Sequence, residues 1–539
     1  MIATDDFVAN LRHERDVEQP AAHTTSSDPT ERHREAKSRE LIAFLRDYAS
    51  TRLNARLADA RRCLPPHVVL DFGRQGLFGL RVPRELGGIA LGWRFGGSVI
   101  EQLAAIDLTL AMLVGIHNEL GVGPILGWGT GQAKSEMLPL LATGRMLGGL
   151  AITERGAGSN PHAISSTATP QPDGSWAIAG EKILVGNGSW AGIINVFARR
   201  DDAQSRKGII GLTVPTDRAG VHMGPEMMTM GMRSIVQNSI RFEDVRVQAH
   251  EVLGDPDGNF EVAEESFRMA RLGLTLAATG AIKRCAQLLV RYASRRKIWT
   301  GPLGKSAVFC GALRTMLDAA QVLERLCGVV TEALDQKRAI PAELFFVCKI
   351  LGPEHLWFAA DNLVQWLGGR GYLESNEAPQ ILRDARLFRI FEGPTEAMKV
   401  QLGSMWQAGA GELKAWLAAL PGGAEVLRQV QGACDAIWDT PSPSGLNLGQ
   451  HTFARRHAIG ALVAQGIAWA LLADLAAPSG LAERAQRAFQ ELTRVEWERT
   501  SGAALLDLDA VGRTLASDIG DIVQALPGED WVFDELLAR

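Results

Sequence analysis

An α+β fold is predicted for this chain, with helices first, strands in the middle and helices again, on three observations. Apolar residues recur at helical spacing up to about residue 147, the pattern shortens to strand-like segments over 148–256, and long Ala/Leu-rich stretches follow. The 539 residues exceed one ordinary core and suit roughly two to four domains.

Residues 1–36 read as a flexible leader, because the stretch from about 16 to 38 is polar and poor in aliphatics. The start carries Asp5 and Asp6 rather than a basic segment and an apolar run, so a secretory signal is not expected. A helical domain spans 37–147. Leu41, Phe44, Leu45, Tyr48 and Leu53 form a helical stripe between Arg39 and Arg61; Pro65 and Pro66 interrupt it, and a second helical stretch runs from Trp93 to Val114. Residues 148–256 form a β domain with strands at Ser175–Ala179, Ile193–Ala198, Ile209–Val214 and Ser239–Phe242. Helices over Ala270–Ala293, Ala307–Ala333 and Glu343–Leu367, a glycine-rich loop from Gly368 to Ser375 and a helix over Ile381–Ile390 make a bundle domain, 257–409. Residues 410–539 add helices over Gly411–Leu420, Gly423–Trp438, His457–Leu475, Leu481–Leu506 and Val511–Ala525. They form either a separate domain or an elaboration of the bundle.

Apolar residues at 46% and charged residues at 22% fit a globular protein, and a net charge of -5 gives no electrostatic case for nucleic acid. Six cysteines without a CxxC pair point to a reducing compartment, with the cytoplasm as the default. No apolar window is read as long enough for a transmembrane segment. No metal site is expected.

Four blocks could carry chemistry. The first is Ala151-Ile152-Thr153-Glu154-Arg155-Gly156-Ala157-Gly158-Ser159-Asn160, followed by Gly180-Glu181-Lys182. The second joins Met230-Gly231-Met232-Arg233 to Phe242-Glu243-Asp244-Val245-Arg246-Val247. The third runs from Arg271 and Gly280 to Tyr292-Ala293-Ser294-Arg295-Arg296. The fourth holds Gln365, Gly368-Gly369-Arg370-Gly371-Tyr372, Arg383-Asp384-Ala385-Arg386 and Phe391-Glu392-Gly393-Pro394-Thr395-Glu396. By themselves these segments read as a strand ending in a Gly/Ser turn, a basic helical patch, an interhelical loop and a charge at a helix N-terminus.

In this order and spacing, over about residues 37–405, the blocks resemble the acyl-CoA dehydrogenase family. The resemblance implies a β-barrel-like middle domain and a C-terminal four-helix bundle, with FAD between them and across a subunit interface of a homodimer or homotetramer. It implies cofactor contacts at Ala151, Ile152, Thr153, Gly158, Ser159, Leu184, Gly186, Arg296, Trp299, Gln365, Gly368, Gly369, Thr395 and Glu396, with Arg296 on the pyrophosphate. For the substrate it points to Ser159, Arg271, His117, Phe391 and Gly393, and it makes Glu392 the general base.

The implied reaction is α,β-dehydrogenation of an acyl thioester on CoA or an acyl-carrier protein. Glu392 takes the α proton, hydride passes to flavin N5, and electrons go to an electron-transfer flavoprotein or another acceptor. Five positions depart from the family pattern. Leu184 and Gly186 stand for a Trp and a Thr, Ile298 for a common Thr, Ala307 for a Gln, and Pro394 for another Thr. An oxygen-using oxidase, a flavin monooxygenase on the same fold, or a non-catalytic helical assembly protein are the alternatives. Residues His117 and Asn118 are weighed as structural, and Arg383 with Asp384 as a supporting ion pair.

Overall fold

A computed structural model describes residues 28–201, 208–256, 260–443, 445–473 and 480–520. Among the described residues the first helix, α1 (Pro29–Thr51), begins earlier than expected, inside the segment read as leader. Asp28 accepts from Thr30 N at 2.8 Å and Pro29 takes the first turn, so polar composition there marks a cap and an exposed helix face. Residues 1–27 of the leader lie outside the described residues. The stripe continues through α2 (Ala55–Arg61), set off by Asn54 as N-cap, and α3 (Pro66–Gln75).

The expected helix over Trp93–Val114 is two helices, α4 (Gly92–Ile106) and α5 (Leu108–Gly115). Asp107 breaks it with extended backbone and caps α5 by accepting from Leu110 N at 3.1 Å. A π-helical turn, Ile116–Val122, leads into α6 (Gly123–Trp128), and α7 (Gly131–Ala142) closes the first helical layer.

Strands β1 (Leu147–Ala151), β2 (Thr167–Pro170), β3 (Trp176–Gly186), β4 (Ala191–Arg200), β5 (Ile209–Pro215), β6 (Val221–Glu226), β7 (Gln237–Val247) and β8 (Val252–Leu253) share one sheet. Its order is β6-β7-β3-β2-β4-β5-β8, with β1 parallel to β4. On β7, Asn238, Ile240 and Phe242 point inward at period two. A bulge with Asp244 at φ 49° shifts the phase, and Val245 and Val247 then face the same core.

The helical half comprises α8 (Glu261–Ala293), a two-residue hairpin of β9 (Lys297–Ile298) and β10 (Gly301–Pro302), α9 (Ala307–Asp335), α10 (Glu343–Leu367), α11 (Ala378–Phe388) and α12 (Thr395–Gln407). After it come α13 (Gly411–Ala419), α14 (Gly423–Trp438), α15 (Leu448–Ala473), α16 (Leu481–Ser501) and α17 (Leu508–Ile519). Of the helix expected over Val511–Ala525, residues beyond 520 lie outside the described residues.

The last helices elaborate the bundle. Leu402 and Trp406 of α12 and Ile459, Leu462 and Val463 of α15 belong to the same apolar core as Leu45 and Phe72 of the first helices. Arg484 of α16 pairs with Asp318 of α9 at 2.6 Å. Contrary to the sequence reading, two helical runs are long and apolar enough to cross a membrane, Leu108–Trp128 and Leu448–Ala473. They are 67% and 78% buried inside the fold, which is what core helices of this length require. All six cysteines are free.

Candidate active site

Glu392 sits in the short loop between α11 and α12. Its backbone is left-handed, with φ 56°, and Gly393 follows at φ 98°. Non-glycine residues rarely hold such angles unless their surroundings enforce them. Three contacts do so here: Thr395 N donates to Arg389 O at 3.2 Å, Arg271 Nε donates to Glu392 O at 3.3 Å, and Arg389 Nε donates to Glu354 of α10 at 2.7 Å.

Its carboxylate was expected to stay ionised at a helix N-terminus. Instead, Oε2 is buried without a hydrogen-bond partner, and so is the neighbouring Thr395 Oγ1. Burial pushes the Glu392 carboxyl up to about 6, held from rising further by Arg271 and Lys349. A carboxylate poised there is a base near neutral pH. The Glu392 carboxyl is therefore expected to take up its proton near pH 6; an infrared difference titration against Glu392→Gln that shows no carboxyl protonation between pH 7 and 5 would contradict this.

Arg271, on α8, is 9% exposed and stacks its guanidinium 4.5 Å from the centroid of Phe346. Burial brings it down to about 10, opposed by Glu392. Phe391 packs edge-on against Phe388, with centroids 5.7 Å apart. Lys349 of α10, absent from the expected site, is fully buried and donates to Phe388 O. Its signal in the sequence was a lysine on a helix face otherwise lined by Phe345, Leu356 and Ala359.

A second group lies where β1 runs out beside β3. Ile183 N donates to Thr153 O at 2.9 Å, and buried Lys182 donates to Ile152 O at 3.2 Å and to Glu154 at 2.7 Å. Glu154 also accepts from Ser165 and Ser166. Burial opposes its ionisation, but these partners outweigh it and hold the carboxyl down at about 2. The pair thus fixes the backbone at Ala151, Ile152 and Thr153, while Gly158 and Ser159 remain exposed. Leu184, at φ 56° and 57% exposed, stands out at a bulge in β3. At Gly186 a Cβ would come 2.9 Å from Ile116 Cδ1, the movable end of a side chain, so packing alone does not require glycine there.

The third group is exposed. Contrary to the expected helical patch, Arg295 and Arg296 follow the end of α8 at Ala293 and lead into the β9–β10 hairpin. Among the described residues Arg296 makes no ion pair, and Trp299 is 98% exposed. Gln365, Gly368 and Gly369 lie open at the end of α10, with nothing near the space a Cβ would take at either glycine. Glu396 is exposed at the first turn of α12. Among the described residues no hydrogen bond or ion pair joins the Arg296 or Gly368 patch to Glu392.

The structural reading of His117 holds over the substrate contact that the resemblance implied, and one pairing changes. His117 is fully buried, Nε2 shares its proton between Phe78 O and Leu141 O at 3.1 Å, and Nδ1 accepts from Gly148 N at 3.0 Å. Burial brings it down to about 4, so it stays neutral and ties the π turn to β1. Arg383 and Asp384 do not pair with each other. Arg383 pairs with Asp59 and, at 2.7 Å, with Glu374, whereas Asp384 accepts from Met232 N at 2.6 Å. Burial and the nearby Asp107 and Asp59 push Asp384 up to about 8.

The unpartnered hydroxyl of Thr395, the exposed hydroxyl of Ser159 and the uncommitted guanidinium of Arg296 are donors that fit the acceptor oxygens of a large polar cofactor, while the orphaned Glu392 oxygen can only accept. Within the helical half, a buried, unpartnered carboxylate oxygen set near two buried cations is an arrangement that can take up a proton. Models of the N-terminal, middle and C-terminal domains of acyl-CoA dehydrogenase match residues 35–145, 149–245 and 258–405. The chain belongs to the acyl-CoA dehydrogenase family.

It is 31% identical over 331 residues to the mitochondrial very long-chain specific acyl-CoA dehydrogenase of Bos taurus, covering 60% of this chain and 50% of that protein. The chain thus spans about half the length of that relative. The human mitochondrial short-chain specific enzyme is 29% identical over 362 residues, 67% of this chain and 87% of the relative. An acyl-CoA dehydrogenase from Bacillus anthracis, solved with FAD, superposes with a TM-score of 0.72 at 20% identity, covering 89% of this chain and 90% of that one. That overlap extends the shared fold into the last helices.

Proposed function

We propose that this chain is an FAD-dependent dehydrogenase of acyl thioesters, with Glu392 as the base that removes the α proton. The observation that carries the reading is the buried, unpartnered Oε2 of Glu392 on a loop held in left-handed backbone between two buried cations. Thr153, Ser159 and the backbone at Ala151 and Ile152 would hold the flavin edge, with Leu184 against it, and Arg296, Trp299, Gln365, Gly368 and Gly369 the nucleotide. FAD supplies the hydride acceptor when bound.

The protein's own part is to desolvate and orient. Burial keeps Glu392 a strong enough base to take a carbon-bound proton, and the Glu392 amide would donate to the thioester oxygen as negative charge develops. The exposed Arg296 and Gly368 patches, remote from Glu392 within one chain, favour a homodimer or homotetramer in which each completes its neighbour's cofactor site. Six free cysteines fit a reducing compartment such as the cytoplasm.

Anaerobic titration of the FAD-loaded protein with CoA and acyl-carrier-protein thioesters tests the reading. The yellow colour is expected to bleach with at least one straight-chain thioester; retention of full colour with the whole panel would overturn it. Reoxidation by electron-transfer flavoprotein without peroxide marks a dehydrogenase, and stoichiometric hydrogen peroxide in air marks an oxidase.

A further inference from the structure

The loop that carries Glu392 is gripped from two helices. From α8, Arg271 holds the Glu392 carbonyl. From α10, Lys349 holds the Phe388 carbonyl at the end of α11, and Glu354 holds the Arg389 guanidinium. A fully buried lysine is costly unless its charge is used, and a carbonyl alone is a neutral partner. Its ammonium also lies 6.0 Å from the ring of Phe391, the residue next to the base.

We infer that Lys349 is a positioning residue for the base, anchoring the loop through Phe388 O while setting its positive charge beside the Glu392 carboxylate. The inference rests on the proposed role of Glu392. Groups facing the ammonium are Glu392, Arg271 of α8, Glu354 of its own helix and Glu396 of α12; those facing Glu392 are Arg271 and Lys349. Burial brings Lys349 down to about 7, against the pull of Glu392, so the amine is charged on the acid side of neutrality and largely neutral well above it. Its charge therefore favours the Glu392 anion in the range where Glu392 would otherwise be protonated. Activity at mildly acidic pH is the property it protects.

The test is the pH dependence of anaerobic flavin reduction by butyryl-CoA or palmitoyl-CoA, whichever bleaches the wild-type holoenzyme, in Lys349→Met, Lys349→Gln and Glu392→Gln. Methionine removes both charge and donor, while glutamine keeps a donor for Phe388 O. Both lysine variants are expected to move the acid limb to higher pH, with the rate at pH 6 down roughly fivefold or more. At pH 9 the glutamine variant should stay within about threefold of wild type, because the native amine carries little charge there. A lysine serving packing alone would lower the rate by one factor at every pH.

An unmoved acid limb in both lysine variants, with Glu392→Gln inactive, overturns the role of Lys349 and leaves the base in place. Wild-type reduction by Glu392→Gln overturns the base itself. Should the methionine variant fail to retain FAD, the glutamine variant decides the question alone.

Discussion

Glu392→Gln is expected to retain FAD and slow flavin reduction by an acyl thioester about 10³-fold. Glutamine matches the carboxylate in size and keeps the same left-handed backbone, so the loop's three contacts, all made through backbone or other side chains, survive. What it lacks is the capacity to take a proton. The substitution also leaves Arg271 and Lys349 facing a neutral amide, which removes attraction from two buried cations, and a modest fall in melting temperature should accompany the loss of rate. Stopped-flow bleaching with flavin content measured on the same sample separates the two effects. Reduction within tenfold of wild type would exclude Glu392 as base.

Gly460→Val is expected to cost about 3 kcal/mol or more of stability. Helices α12 and α15 cross backbone to backbone: a Cβ on Gly460 would lie 1.9 Å from Lys399 O, and one on Gly403 1.9 Å from Arg456 O. Neither neighbour is a side-chain end that can swing aside, so the helices must separate and open the apolar contacts of Leu402 and Trp406 with Ile459 and Val463. Because α12 begins three residues after Glu392, flavin reduction should also fall, though by less than in Glu392→Gln. Thermal unfolding of the full chain checks this. A melting temperature unchanged from wild type would mean that the last helices do not pack on α12 in solution.

Much of the architecture was legible because it depends on local periodicity. The strands β4 and β5 and the helices α9 and α10 fall where alternation and apolar stripes put them, within a few residues, whereas β3 and β7 run on past the expected ends at Ala179 and Phe242 to Gly186 and Val247, and β6 was not anticipated. Boundaries failed where a single side chain competes with the helix: Asn54 and Asp107 cap new helices within apparently continuous stripes, and Asp28 starts one within a polar run. Arg296 looked helical because its neighbours continue a helical composition; the chain had already turned at Ser294.

The sequence by itself determined the order of layers, the family and the residue types at each block, because the four motifs are contiguous and their spacing survives in one dimension. Tertiary structure decided which of those residues meet. It turned His117 into a peg between the π turn and β1, separated Arg383 from Asp384, and brought Lys349 to Glu392 from a different helix. It also changed what governs the Glu392 carboxyl: partial charges at a helix end can be anticipated from a Pro after a Gly, whereas removal of water from one carboxylate oxygen depends on surfaces assembled from helices far apart in the chain.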